Sequence, residues 1–248
     1  MDAQSDISAW ISRIPKVTRW WFFSSFFLPL TTKLGILSPV YLVLLPEAIS
    51  SFQIWRFVTC LLWFPVNFRW LMMLYFLYSY SSMLETGIFS GTPADYIFML
   101  LFNSFSIVVI GFIVQLPILG SALIFSVLYL WCQVNRETIV TFWFGIQVKA
   151  MYFPWVLFFF FFILGDDWVT MLLGIVVGHL YYFITDTWPQ YYGGRQFIST
   201  PQFLHNWFPS NRRIAGFGVP PASRRPVGGE GEQRRGGHTW GQGQRLGD

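Results

Sequence analysis

Charge is scarce in this sequence. Aspartate, glutamate, lysine and arginine make up 11% of its 248 residues, against roughly 25% in average soluble chains. Apolar residues reach 54%, with 28 phenylalanines, and they fall in long runs rather than in alternating or amphipathic patterns. An ordinary soluble domain is thereby excluded, and an all-α polytopic membrane protein is expected. Cysteine occurs twice, at Cys60 and Cys132. Both lie in apolar surroundings, so neither a disulfide framework nor a zinc site is expected. No GxxxxGK[ST] phosphate loop is present, so the chain has no ATP-binding motif with which to drive transport. No cofactor, metal or nucleic-acid partner is expected. The first apolar run, from Trp20, has no small-residue cleavage site behind it and ends near Lys33, so it reads as a retained span rather than a signal peptide. The internal repeats and paired mid-membrane charges of a small-molecule carrier are also missing.

Six apolar stretches are present, at 17–37, 70–84, 96–114, 117–134, 150–165 and 168–185. The third and fourth are joined by a short link at Gln115 and Leu116, which predicts a tight hairpin. The longest link, 38–67, is apolar but carries Pro39, Pro46 and Pro65, and it reads as structure lying in the membrane interface. The chain then divides into an N-terminal arm (1–16), a six-span bundle (17–187), a juxtamembrane amphipathic segment (188–209) and a tail (210–248). Thr92-Pro93-Ala94-Asp95 has the form of a helix start, with Thr as N-cap and Pro in the first turn. Thr200-Pro201 repeats it before a short helix carrying Phe203, Leu204, Trp207 and Phe208 on one face. From Pro209 onward Gly, Pro, Arg, Ser and Gln dominate, and a disordered tail is expected.

The basic residues set an orientation. Arg13, Lys16 and Arg19 precede or open the first span, Arg136 and Lys149 lie in the fourth-to-fifth link, and eight arginines follow the sixth span, from Arg195 to Arg245. Only Lys33, Arg56 and Arg69 belong to the other side, with the acids Glu47, Asp166 and Asp167. Both termini are therefore expected on the cytosolic side. Two spans look short. Only 15 residues separate Arg69 from Glu85, and 16 separate Lys149 from Asp166. At ~1.5 Å per residue the first reaches about 22 Å, less than a bilayer core of about 30 Å, which fits local membrane thinning.

Several residues stand out within this frame. Tyr75, Ser79 and Ser82 share one helical face in the second span; the stripe faces a wet cavity or makes interhelical hydrogen bonds. Gly174-x-x-x-Gly178 permits close helix packing. His179 follows it, either as a catalytic or proton-carrying group or as a packed polar residue bonded to a neighbour. Trp55-Arg56 sits in the long loop, where arginine can bond backbone carbonyls and headgroups. In the tail, Trp240 and Leu246 form two apolar anchors among Gly241, Gly243 and Gly247, with Arg245 beside the second. A disordered segment has no core for an indole, so the motif reads as a docking peptide.

Seven segments together resemble the derlins, rhomboid-like pseudoproteases of the endoplasmic reticulum: "FQIWR", "YFLYSYSSMLETGIFSGTPADYIFMLLFN", "NRETIVTFWFG", "GIVVGHLYYF", "GGRQFISTPQFL", "GFGVPPAS" and "WGQGQRL". The likeness covers nearly the whole chain and is greatest to the branch typified by derlin-1. It implies a six-span rhomboid-like fold, with Trp55, Arg56, Gly174 and Gly178 as fold-signature residues. It implies a multi-pass protein of the endoplasmic reticulum membrane that helps return misfolded clients to the cytosol alongside an ER membrane ubiquitin-ligase complex. The tail motif resembles the SHP box, which binds the AAA ATPase valosin-containing protein. A homo-oligomer sharing one conduit is compatible with this picture. Active rhomboid proteases differ. They carry Gly-x-Ser in the fourth span and a His three residues before the glycine pair. Here the residue two after Gly120 is Ala122, and Met171 stands three before Gly174. Ser121 and Ser126 have no evident base, and His179 is out of register, so no hydrolysis is expected. The rival readings are an active protease pairing Ser126 with His179 and a scaffold that never touches clients.

Overall fold

A computed structural model of the chain describes residues 9, 11–45, 52–142, 145–165, 167–191 and 199–208. Helices occupy all six apolar stretches: α1 (Lys16–Lys33), α3 (Phe68–Met83), α4 (Pro93–Val114), α5 (Gly120–Val134), α6 (Phe153–Ile163) and α7 (Trp168–Tyr182). The long link, expected only as interfacial structure, also contains a helix, α2 (Arg56–Leu62), after a 3-10 turn at Pro39–Tyr41.

Among the described residues, two helices are long and apolar enough to cross a membrane by themselves, Pro93–Val114 and the run Trp168–Tyr191. Two shorter apolar helices, Gly120–Val134 and Ala150–Ile163, lie between them. Their burial differs. In α5, 12 of the 15 residues are buried, as expected of a helix that is apolar on every face and enclosed by others. α4 instead turns Phe105 and Ile113 outward and lies at the periphery. The core therefore forms around α5, with α7 as its closest partner.

Hydrogen bonds fix which ends meet. The start of α1, the end of α3 and the start of α4 are bonded together through Thr18, Ser81, Glu85 and Tyr96. α8 (Gln202–Trp207) joins this end, where Thr200 donates to Asp95 at 2.6 Å. The end of α5 meets the end of α7, with Arg136 donating to the Tyr182 hydroxyl at 3.0 Å. At the other end, the α4–α5 link is bonded to the long loop: Leu44 N donates to the Pro117 carbonyl and Leu119 N to the Cys60 carbonyl, both at 2.9 Å. The expected tight turn there is real. Gln115 takes a left-handed conformation (φ 62°), and Leu116 N donates back to Gly111, closing the helix as such caps do.

Four features depart from the sequence reading. α3 does not stop at Glu85; a π-helical turn carries it through Leu84–Ile88. The last span also continues through a π turn, Phe183–Thr187, to Tyr191. The Thr92 side chain does not cap α4, although Pro93 opens it as expected. Finally, the link between α5 and α6 forms an antiparallel hairpin, β1 (Ile139–Thr141) and β2 (Gln147–Lys149), with Val140 opposite Val148. On the hairpin, Lys149 donates to Glu137 at 2.9 Å, and this bond holds the carboxyl below its usual range and the ammonium above it. The expectations for Pro46, Glu47, Asp166 and the tail lie outside the described residues.

Candidate functional site

A cavity of about 660 Å³ runs along α3 from Phe68 to Met83. Its opposite wall is the hairpin, from Thr138 to Phe142, backed by Phe153 at the start of α6. Ring contacts hold this wall in place: Phe142 packs on Phe153 and Phe160, and Phe153 on Phe76 and Tyr80. The lining is mainly aromatic and aliphatic, with hydroxyls from Tyr75, Ser79, Tyr80, Thr138 and Thr141. A small set of polar groups in an apolar cleft is the usual composition of a binding site.

The predicted hydroxyl stripe is divided. Tyr75, 63% exposed, and Ser79 line the cavity. Ser82 does not; its hydroxyl is buried, with no hydrogen-bond partner among the described residues. Ser81 faces the other way and joins a polar cluster in which Thr18 bonds Ser81 at 2.7 Å and Ser81 bonds Tyr96 at 2.6 Å. Glu85 completes the cluster. Its carboxylate accepts from Val17 N at 3.0 Å, and from Thr18 N and the Thr18 hydroxyl at 2.8 Å each. It thus supplies an N-terminal cap that α1, opening at Lys16 after Pro15, lacks in its own sequence. Sequence reasoning missed this role, because the partners lie 67 and 68 residues apart.

Arg56 is almost wholly buried, 3% exposed. Its Nη1 donates to the Val40 and Val43 carbonyls at 2.5 and 2.7 Å, and its Nε to the Gln53 side chain at 2.7 Å. It therefore folds the long loop onto itself, while Trp55 stays exposed. Gly174 and Gly178 belong to α7 and pack against α5. A Cβ at Gly174 would overlap the Ala122 carbonyl oxygen, and one at Gly178 would come within 2.8 Å of the Ser126 oxygen.

Ala122 and Met171, both apolar, are fully buried. Ser126, also fully buried, donates to the Leu123 carbonyl at 2.8 Å and accepts from Asn103 at 3.2 Å. His179 bonds the Tyr129 hydroxyl at 2.9 Å. No hydrogen bond joins Ser126 to His179 among the described residues. The tail residues Trp240, Gly241, Gly243, Arg245, Leu246 and Gly247 lie outside the described residues.

Comparison with known proteins adds to this picture. Residues 14–202 match the Der1-like family. Derlin-1 of Homo sapiens is 52% identical over 252 aligned residues, spanning 98% of this chain and 99% of that protein. Derlin-1 of Caenorhabditis elegans is 42% identical over 209 residues, 82% of this chain and 85% of its own length. Derlin-1 of Drosophila melanogaster is 36% identical across 98% of this chain and 99% of its own.

Proposed function

Since this chain belongs to the Der1-like family, in the derlin-1 branch, we propose that it is a non-catalytic membrane component of endoplasmic-reticulum-associated degradation that passes misfolded polypeptides toward the cytosol. The observation that carries this reading is the cavity along α3, with its hydroxyl groups and its wall of hairpin. Peptide backbone is costly to expose to lipid, at several kcal/mol for each unsatisfied polar group. A cleft that offers hydroxyls from Tyr75, Ser79 and Thr141 lowers that cost along about 24 Å of α3, taking ~1.5 Å per residue over its sixteen residues. The apolar Ala122 and Met171 support the absence of hydrolysis, as nucleophilic catalysis needs a nucleophile and a base in contact.

The orientation is six crossings with both termini cytosolic. The start of α1, α8 and the Arg136–Lys149 hairpin share the end of the bundle near which the basic residues concentrate. Through Trp240 and Leu246 the tail recruits the AAA ATPase valosin-containing protein, which supplies the pulling force. An ER membrane ubiquitin-ligase complex marks the clients, and a homo-oligomer aligns several cavities.

The test is site-specific photocrosslinking in the endoplasmic reticulum membrane. A photoreactive side chain at Tyr75 or Ser79 should capture a misfolded luminal client while the ATPase is inhibited. Client turnover at the normal rate without such crosslinks would favour a scaffold that never touches its clients.

A further inference from the structure

The cavity wall formed by β1 has an unusual presentation. Five consecutive residues, 138–142, line it. Side chains along a strand alternate between two faces, so a cavity touching all five meets the strand along its edge. That edge is the free one. Phe142 N donates to the Ile146 carbonyl and Ala150 N to the Thr138 carbonyl, both at 2.8 Å. With Val140 opposite Val148, residues 138, 140 and 142 face β2, and the amides and carbonyls of Ile139 and Thr141 point away from it. Neither residue has a backbone hydrogen bond on that side among the described residues.

Free edges of this kind are usually blunted by lysine, proline or a bulge. β2 carries Lys149; β1 reads Ile-Val-Thr, with no charge and no proline. The edge also opens into a concave space. From the spacings of strands and sheets, an extended residue fills about 160 Å³, so a cavity of about 660 Å³ accommodates about four residues of one extended segment. A second folded hairpin would need at least twice that room, with α3 in its way.

We infer that β1 is an acceptor strand: an extended client segment adds to its free edge, bonding the backbone of Ile139 and Thr141. This rests on the client-cavity reading and names its substrate class, unfolded polypeptide recognised through its main chain. Recognition through the backbone leaves the side chains free and so tolerates many client sequences.

The test uses full-length protein in nanodiscs and a fluorescent peptide of alternating valine and threonine. Its twin is N-methylated at every amide, which removes the donors on both edges and keeps side chains. The plain peptide should bind roughly tenfold more tightly than the twin, as expected for one or two net hydrogen bonds. Ile139→Pro and Thr141→Pro remove only outward-facing amides, which edge strands tolerate. Both variants should bind the plain peptide as weakly as wild type binds the twin, at unchanged helical content. Equal binding of the two peptides to wild type overturns the inference. If crosslinking from Tyr75 to a client persists in that case, the cavity reading survives without strand addition; if it fails too, both readings fall. Proline variants that bind the peptide normally but lose a crosslinked dimer would assign the edge to a second copy and also overturn it.

Discussion

The carboxylate of Glu85 accepts three hydrogen bonds from the first turn of α1. It does so from the π turn that continues α3, on the face it shares with Ser81, since the Thr18 hydroxyl bonds both. A charged acceptor at a helix N-terminus satisfies amides that have no intrahelical partner and opposes the positive end of the dipole. Glu85→Ala should therefore lower stability by about 1–2 kcal/mol, within the range for lost N-caps. Glu85→Gln, which keeps one acceptor oxygen, should cost less. Thermal unfolding in detergent, followed by circular dichroism, checks the order, and equal melting of Glu85→Ala and wild type would contradict it. Arg56 works in the same manner on the long loop. Lysine lacks the Nε donor of the guanidinium, so Arg56→Lys should leave the Gln53 side chain unpaired and destabilise by about 1–3 kcal/mol, measured by the same melt.

Among the elements, the pairing of α5 with α7 has the least room. Both glycines of the GxxxG pair lie against α5, but against different atoms. A new Cβ at Gly174 meets the Ala122 backbone oxygen and the Phe125 Cβ, neither of which can rotate away. One at Gly178 meets Ser126 backbone atoms at slightly greater distances. Overpacking costs about 1–3 kcal/mol, and Gly174→Ala should lie at the upper end, above Gly178→Ala. Unfolding of the two variants in parallel tests this, and Gly178→Ala melting below Gly174→Ala would reverse the assignment. The hairpin makes the opposite point about legibility. Ile139, Val140 and Thr141, then Gly145 and Val148, form a strand–turn–strand pattern that sequence can show. The pattern is faint beside much longer apolar helices, because three-residue strands barely rise above the background of a phenylalanine-rich chain.

At the scale of the whole molecule, the proposed function assigns the pulling force to an external motor. Trp240 and Leu246 are the apolar anchors proposed for that contact. Aromatic hot spots often cost ~2 kcal/mol or more when truncated, so Trp240→Ala with Leu246→Ala should abolish pull-down of the ATPase. Membrane insertion should be intact, and client extraction should stall. Capture of the ATPase at the wild-type level by the double variant would remove the tail from the mechanism.

Sequence alone determined the features that rest on local chemistry. Uninterrupted apolar runs specify helices for lipid, and six of them appear where the runs lie. Small residues four apart specify a close helix contact, and Gly174 and Gly178 form one. An arginine in an apolar loop must find acceptors, and Arg56 finds carbonyls. Tertiary structure alone decided which of these local features meet. Glu85 looked like the charged end of a short span, yet its partners come from the start of α1. Ser82 shared a face with Tyr75 and Ser79, but a helical face does not specify the neighbour it meets, and only two of the three residues reached the cavity. The free edge of β1 is a property of register and of what lies opposite. A hydrogen-bond partner many residues away leaves no periodicity in the chain, so such pairings become visible only once the helices are packed.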